Sequence, residues 1–116
     1  MLTLFTSPGA CSRASHIALE ESGLAFEVRL IDFGKAEQRT PEFLAVNPKG
    51  RVPALATDRG VLTETPAILA YVASLSAPGA LAPTEPFAFA SMQAFNAYLA
   101  STVHVAHAHR RRASRW

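Results

Sequence analysis

The sequence predicts an α/β fold, a small domain with a mixed sheet followed by helical material, and three observations lead to it. Short apolar or alternating runs at residues 2–5 and 26–31 enclose a stretch of helical spacing, a β-α-β unit with a right-handed parallel crossover. Two further runs, 52–57 and 60–63, are separated by two residues, as in a hairpin. Beyond a proline-rich break the pattern becomes helical and stays so.

Each element has its own justification. Residues 2–5 favour strand and stop at Ser7-Pro8-Gly9. After Ser12, the residues Ala14, Ile17, Ala18 and Glu21 recur at helical spacing, and Gly23 supplies a left-handed stop. Residues 26–31 alternate as a second strand. The polar stretch 32–40 reads as a loop, and Pro41 opens one or two helical turns over 41–46. Asn47-Pro48-Lys49-Gly50 is dense turn chemistry. Pro53 lacks an N–H and belongs at the start or edge of its strand. Thr65 caps the next helix with Pro66 in its first position, and Ile68, Leu69, Val72 and Leu75 form the apolar side. Pro78, Gly79, Pro83 and Pro86 mark 77–86 as a linker between a domain at 1–76 and helical material at 87–116. The last helix runs from Phe87 toward Arg112, with Met92, Phe95, Leu99, Thr102, Val103 and Ala106 on one face.

Composition narrows the function classes. Of 116 residues, 49% are hydrophobic and 17% charged, which suits a packed globular chain and excludes intrinsic disorder. A formal net charge of +2 is too small to imply nucleic acid or an acidic partner. The single cysteine, Cys11, cannot close an intramolecular disulfide, so a reducing compartment is compatible. The first residues lack the basic flank and apolar length of a secretory signal, and no apolar run has the length to span a bilayer. A cytoplasmic protein without membrane or nucleic-acid partners is expected.

Four stretches then stand in order: SPGACS at the first strand–helix junction, NPKGRVPAL before the hairpin, LTETPAILAYVA on the following helix, and FNAYLASTVHVAHAH on the last. Together the chain resembles the bacterial glutathione transferases, especially beta-class-like members with a cysteine in the first loop. The resemblance implies a thioredoxin-like N-terminal domain followed by an incomplete all-α C-terminal domain. It also implies a homodimer and transfer of the glutathione thiolate to electrophilic small molecules. In that family more helices would follow, so Trp116 is read as the end of a truncated gene or a fragment.

The residues carry their own chemistry beside this likeness. A cysteine at a helix N-terminus meets the helix dipole and free N–H groups, which favour the thiolate. Cys11 is otherwise a small buried apolar residue. The resemblance places it beside the glutathione sulfur, with Ser12 either donating to the thiolate or capping the helix. An X-Pro bond is ordinarily trans. The resemblance makes Val52-Pro53 cis and gives the Val52 backbone to the cysteinyl part of glutathione, as in strand addition. A helix N-terminus binds carboxylates, so Thr65 suits the γ-glutamyl carboxylate and Glu64 its ammonium. Both residues also read as an ordinary helix start. Lys35 matches a contact to the glycyl carboxylate, or is simply solvated. Ala10 completes the implied glutathione-binding set, and His104 is the implied histidine near the sulfur. The family often has asparagine seven residues before that histidine. Here Ala97 stands there and Asn96 is one step off, a rotation of about 100°. His16 reads as packing or interface.

His104, His107 and His109 suggest a metal, but a zinc site wants three or four ligands and the segment has no cysteine or acid beside them, so no metal is expected. The arginines at 110–112 and 115 read as a solvated, dipole-favoured helix end. Two rival functions stand beside the transferase: a glutathione-dependent thiol–disulfide redox protein, and a non-catalytic glutathione-binding or dimerising module.

Overall fold

The structure, a computed structural model, describes residues 1–115, without the side chains of Arg111 and Arg115. The readings of Trp116 as a truncation point and of the arginine run at positions 111 and 115 lie outside what is described.

Four strands form one sheet in the order β2-β1-β3-β4, where β1 is Leu2–Thr6, β2 Phe26–Leu30, β3 Ala54–Thr57 and β4 Gly60–Thr63. β1 runs parallel to β2, with Leu2 opposite Phe26 and Thr6 opposite Leu30. It runs antiparallel to β3, with Leu4 opposite Leu55. The hairpin β3–β4 closes with Thr57 opposite Gly60, so Asp58-Arg59 is its two-residue turn. The mixed sheet follows from the sequence order: a crossover helix makes the first pair parallel, and a tight turn makes the last antiparallel.

Adjacent residues of β1 point to opposite faces of the sheet, and each face has its own core. On one face Leu4 and Leu55 meet Leu19 of α1 (Arg13–Ser22) and Ile68 and Val72 of α3 (Thr65–Leu75), all fully buried. On the other, Phe5 packs with Ile31, Val52 and Phe43, the last from α2 (Pro41–Val46). The rings of Phe5 and Phe43 lie 5.8 Å apart. The buried residues of α1 are Ser15 and Leu19, with Ser12 buried at the cap position before the helix, whereas Ile17, expected on the apolar side, is 54% exposed. Gly23 ends α1 at φ 68°, its N–H donating to the Glu20 carbonyl.

Four expectations are corrected. Residues 32–40 are not a plain loop but two single 3-10 turns, Phe33–Lys35 and Glu37–Arg39. Asp32 accepts from the Gly34 and Lys35 N–H groups at 2.8 and 3.3 Å, a local bond that leaves no apolar period to read. Thr65 is the first residue of α3 rather than its cap; Glu64 holds the cap position, with no side-chain capping bond. Leu75 stands exposed at the end of α3. The last helix begins at Pro86 and is not uniform: α4 (Pro86–Tyr98) passes through one π-helical turn, Leu99–Val103, into α5 (His104–Arg112). Of its predicted face, Met92 is half-buried and lines a cleft with Ala18 and Leu69, while Phe95, Leu99 and Val103 are exposed.

Glu85 caps α4, accepting from Phe87 N–H at 2.9 Å and Ala88 N–H at 2.7 Å. Those two bonds, Phe87 first, hold its carboxyl below the ordinary value of 4.5. Among the described residues no helix is long and apolar enough to cross a membrane.

Candidate functional site

The first loop is set by a turn and a buried hydroxyl. Gly9 takes φ 72°, where a side chain would be strained, and the chain doubles back with Ala10 N–H donating to the Ser7 carbonyl. Ser12 is fully buried beneath the loop. Its Oγ accepts from Thr6 Oγ1 at 2.7 Å and from Ser7 N–H at 3.3 Å. It makes no side-chain capping bond, although it occupies the cap position of α1. Ser12 does not take the capping role expected of it: its oxygen accepts from the end of β1 instead of from the first turn of α1, while its own O–H is still available to donate. It anchors the loop from below and leaves Cys11, one residue outside the cap, exposed.

The second element is the turn before β3. Asn47 is buried; its Nδ2 donates to the Arg51 carbonyl at 2.7 Å and its Oδ1 accepts from Lys49 N–H at 3.1 Å. Gly50 sits at φ 61°, and a Cβ there would lie 2.9 Å from the Gln38 backbone oxygen. Only glycine fits that position without a shift. This turn delivers Val52 and Pro53, both buried and joined by a cis peptide bond. The two elements meet directly: Cys11 Sγ donates to the Val52 carbonyl at 3.6 Å.

The third element is the start of α3. Glu64 adopts φ 73°, ψ 120°, a region that disfavours residues with a side chain. Its carbonyl accepts from Ile68 N–H, the first bond of the helix. Its carboxylate is held by Lys49, whose Nζ lies 2.6 Å from Glu64 Oε1 and 3.2 Å from Thr63 Oγ1. Lys49 was not singled out in the sequence, where it reads as one of four turn residues.

The remaining expected residues are more dispersed. Ala10 is half-buried against the Phe43 core. Lys35 is 78% exposed and pairs at 3.7 Å with Asp32. His104 is exposed at the start of α5, and among the described residues no hydrogen bond or ring contact joins it to the Cys11 loop. His16 packs edge-on against Phe26 at 5.8 Å and lies 3.4 Å from Glu20. With Arg13, Leu30 and the first loop it lines a cleft of about 300 Å³ beside β2. No group of three or more metal-ligating side chains comes together among the described residues. The arrangement therefore offers an exposed thiol, backbone groups at a cis-proline and a carboxylate at a helix start.

Comparison with known proteins bears on what such a surface binds. Residues 1–74 match the family described as glutathione S-transferase, N-terminal domain. The chain is 46% identical over 72 residues to glutathione S-transferase GST-4.5 of Xanthomonas campestris, which covers 62% of this chain and 34% of that protein. It is 50% identical over 74 residues to glutathione S-transferase GstA of Escherichia coli O157:H7, 62% of this chain and 37% of that one. A glutathione transferase homologue from Sulfitobacter, solved with bound glutathione, matches at a TM-score of 0.93 and 53% identity, over all of this chain and 56% of that chain. A beta-class glutathione S-transferase from Sphingomonas chungbukensis matches at 0.81 and 43%, over 91% and 54%. The chain thus spans about a third of the length of these curated relatives and about half of these solved structures.

Proposed function

The chain belongs to the glutathione S-transferase family through its N-terminal domain, and from that premise we propose that it binds glutathione and serves its transfer to electrophilic small molecules. The observation that carries the proposal is the meeting of Cys11 Sγ with the Val52 carbonyl at 3.6 Å, beside the cis Val52-Pro53 bond. An extended ligand laid along Val52 pairs with its backbone as an added strand would, with its own thiol next to Cys11. Ala10 and Pro53 shape the wall, Thr65 receives the γ-glutamyl carboxylate and Glu64 the ammonium. Lys35 swings from Asp32 to the glycyl carboxylate, and His104 completes the sulfur's surroundings. In this reading Ser12 is a positioning residue for the loop.

The reaction is a nucleophilic substitution or addition. Glutathione loses its thiol proton to solvent and its sulfur forms a bond to the electrophilic carbon; in a substitution the leaving group departs with its electron pair, and in an addition the acceptor's π pair shifts to the neighbouring atoms and takes up a proton from solvent. The protein contributes orientation and a polar surface for the thiolate. Residues 1–76 serve as the glutathione domain, 77–86 as a linker and 87–116 as the first helical wall, in a cytoplasmic homodimer.

Titration of glutathione into the 116-residue chain by calorimetry, beside Cys11→Ala and Glu64→Ala, tests the proposal. Saturable binding that weakens in Glu64→Ala supports it; a folded wild-type chain that takes up no glutathione refutes it. The exposure of Cys11 favours one second reading, thiol–disulfide exchange. The Cys11 thiolate attacks glutathione disulfide, one glutathione leaves as thiolate, and the other stays as a mixed disulfide. Mass spectrometry after exposure to glutathione disulfide detects that adduct, and its absence removes this reading.

A further inference from the structure

Lys49 ties the turn before β3 to the residues at the start of α3 through its side chain. Its backbone N–H is fixed on Asn47 Oδ1 at 3.1 Å, so the stem of the side chain starts from a rigid, buried anchor. Its Nζ then reaches across to Thr63 Oγ1 at 3.2 Å and Glu64 Oε1 at 2.6 Å. Glu64 needs such a partner more than most surface carboxylates. Its backbone is at φ 73°, it makes no side-chain capping bond to α3, and it is two-thirds exposed. Without Lys49 nothing else among the described residues fixes the direction of its carboxylate. With Lys49 on Oε1, the other oxygen, Oε2, has no hydrogen-bond partner among the described residues, and the side chain as a whole is 67% exposed.

We propose that Lys49 is a positioning residue that aims the free oxygen of Glu64 at the ammonium of a bound α-amino-acid end, and so sets the site's preference for amino-bearing over deaminated ligands. The inference rests on the glutathione-binding reading and deepens it. A carboxylate has lone pairs for more than one donor, so the lysine and a ligand ammonium can share Glu64. Sharing brings two cations near one another, a repulsion that solvent screening at this exposed pair keeps small. Pre-orientation spares the ligand the ordering of a flexible side chain.

The test uses the 116-residue chain, with Lys49→Met and Lys49→Arg. Each is titrated with glutathione and with its deaminated analogue, in which the α-ammonium is replaced by hydrogen, and circular dichroism checks the fold. Lys49→Met should weaken glutathione by about two- to fivefold, the range of an exposed ion pair. It should leave the deaminated analogue unchanged, and Lys49→Arg should restore most of the difference. Equal weakening of both ligands overturns the proposal, because Lys49 would then act on a part they share. Unchanged or tighter glutathione binding in Lys49→Met also overturns it, because the lysine would then be idle or a competitor. If wild type binds neither ligand, the glutathione reading itself falls and takes this one with it. Wild-type binding without a Lys49 effect on the preference removes this inference alone.

Discussion

Glu64 combines a functional carboxylate with a backbone conformation that resists any side chain, and the two can be separated by comparing Glu64→Gly with Glu64→Ala. Both variants lose the Lys49 ion pair, worth at most about 1 kcal/mol at this exposure, so that loss cancels between them. Alanine keeps a Cβ at φ 73°, ψ 120°, and with it a strain of about 1–3 kcal/mol. Glycine relieves it but leaves the unfolded chain freer, which offsets about 0.4–1 kcal/mol. The glycine variant should therefore be the more stable by about 0.5–2 kcal/mol. Glycine's advantage over alanine at a helix cap acts in the same direction. Urea denaturation followed by circular dichroism measures the difference as a shift in midpoint at equal slope. Glutathione titration should show both variants weakened alike, since neither carries a carboxylate. An alanine variant as stable as the glycine one, or more stable, would refute the argument that Glu64 is held under strain at the site.

Three other outcomes follow from the same structure. Leu55→Ala removes a fully buried side chain packed with Leu4, Leu19, Ile68 and Val72, and should lower stability by about 2–5 kcal/mol in urea. Gly50→Ala places a Cβ 2.9 Å from the Gln38 carbonyl oxygen at φ 61°; it should cost about 1–3 kcal/mol and weaken glutathione, because Val52 follows two residues later. An unchanged melting curve would refute it. The Glu85 carboxyl is depressed in the folded chain, so its contribution is present above the ordinary 4.5 and is lost as pH falls through the lower folded value. Wild type should outlast Glu85→Gln in thermal melts at neutral pH and lose that advantage in acid; a gap that persists in acid would refute the capping argument.

Much of this was legible in the sequence because periodicity and turn chemistry are local. The runs around β1 and β2, the Asp58-Arg59 turn and the Gly23 stop each carry their signal within a few residues. What escaped was decided by side-chain bonds and backbone angles that leave no periodic mark. Ser12 looks like a cap and is drawn instead to Thr6 and Ser7 beneath the loop. Lys49 looks like a turn residue until the hairpin brings Thr63 and Glu64 within reach. The positive φ of Glu64 has no sequence mark, since glutamate is not a residue that announces it. Residues 33–39 hide their two turns because side chain–backbone bonds leave no apolar period.

The π-helical turn at Leu99–Val103 changes how distance along the last helix is to be counted. His104 N–H bonds to the Leu99 carbonyl, five residues back instead of four, so one residue is taken up without advancing the winding. The eight-residue step from Asn96 to His104 then carries the winding of about seven α-helical residues, roughly 700°, or within about 20° of two full turns. Ala97, which holds the expected spacing in the sequence, is rotated off that line, and Asn96, which looks displaced, comes back onto it. A step of one residue in a string of letters thus shrinks, around the helix axis, to about 20°.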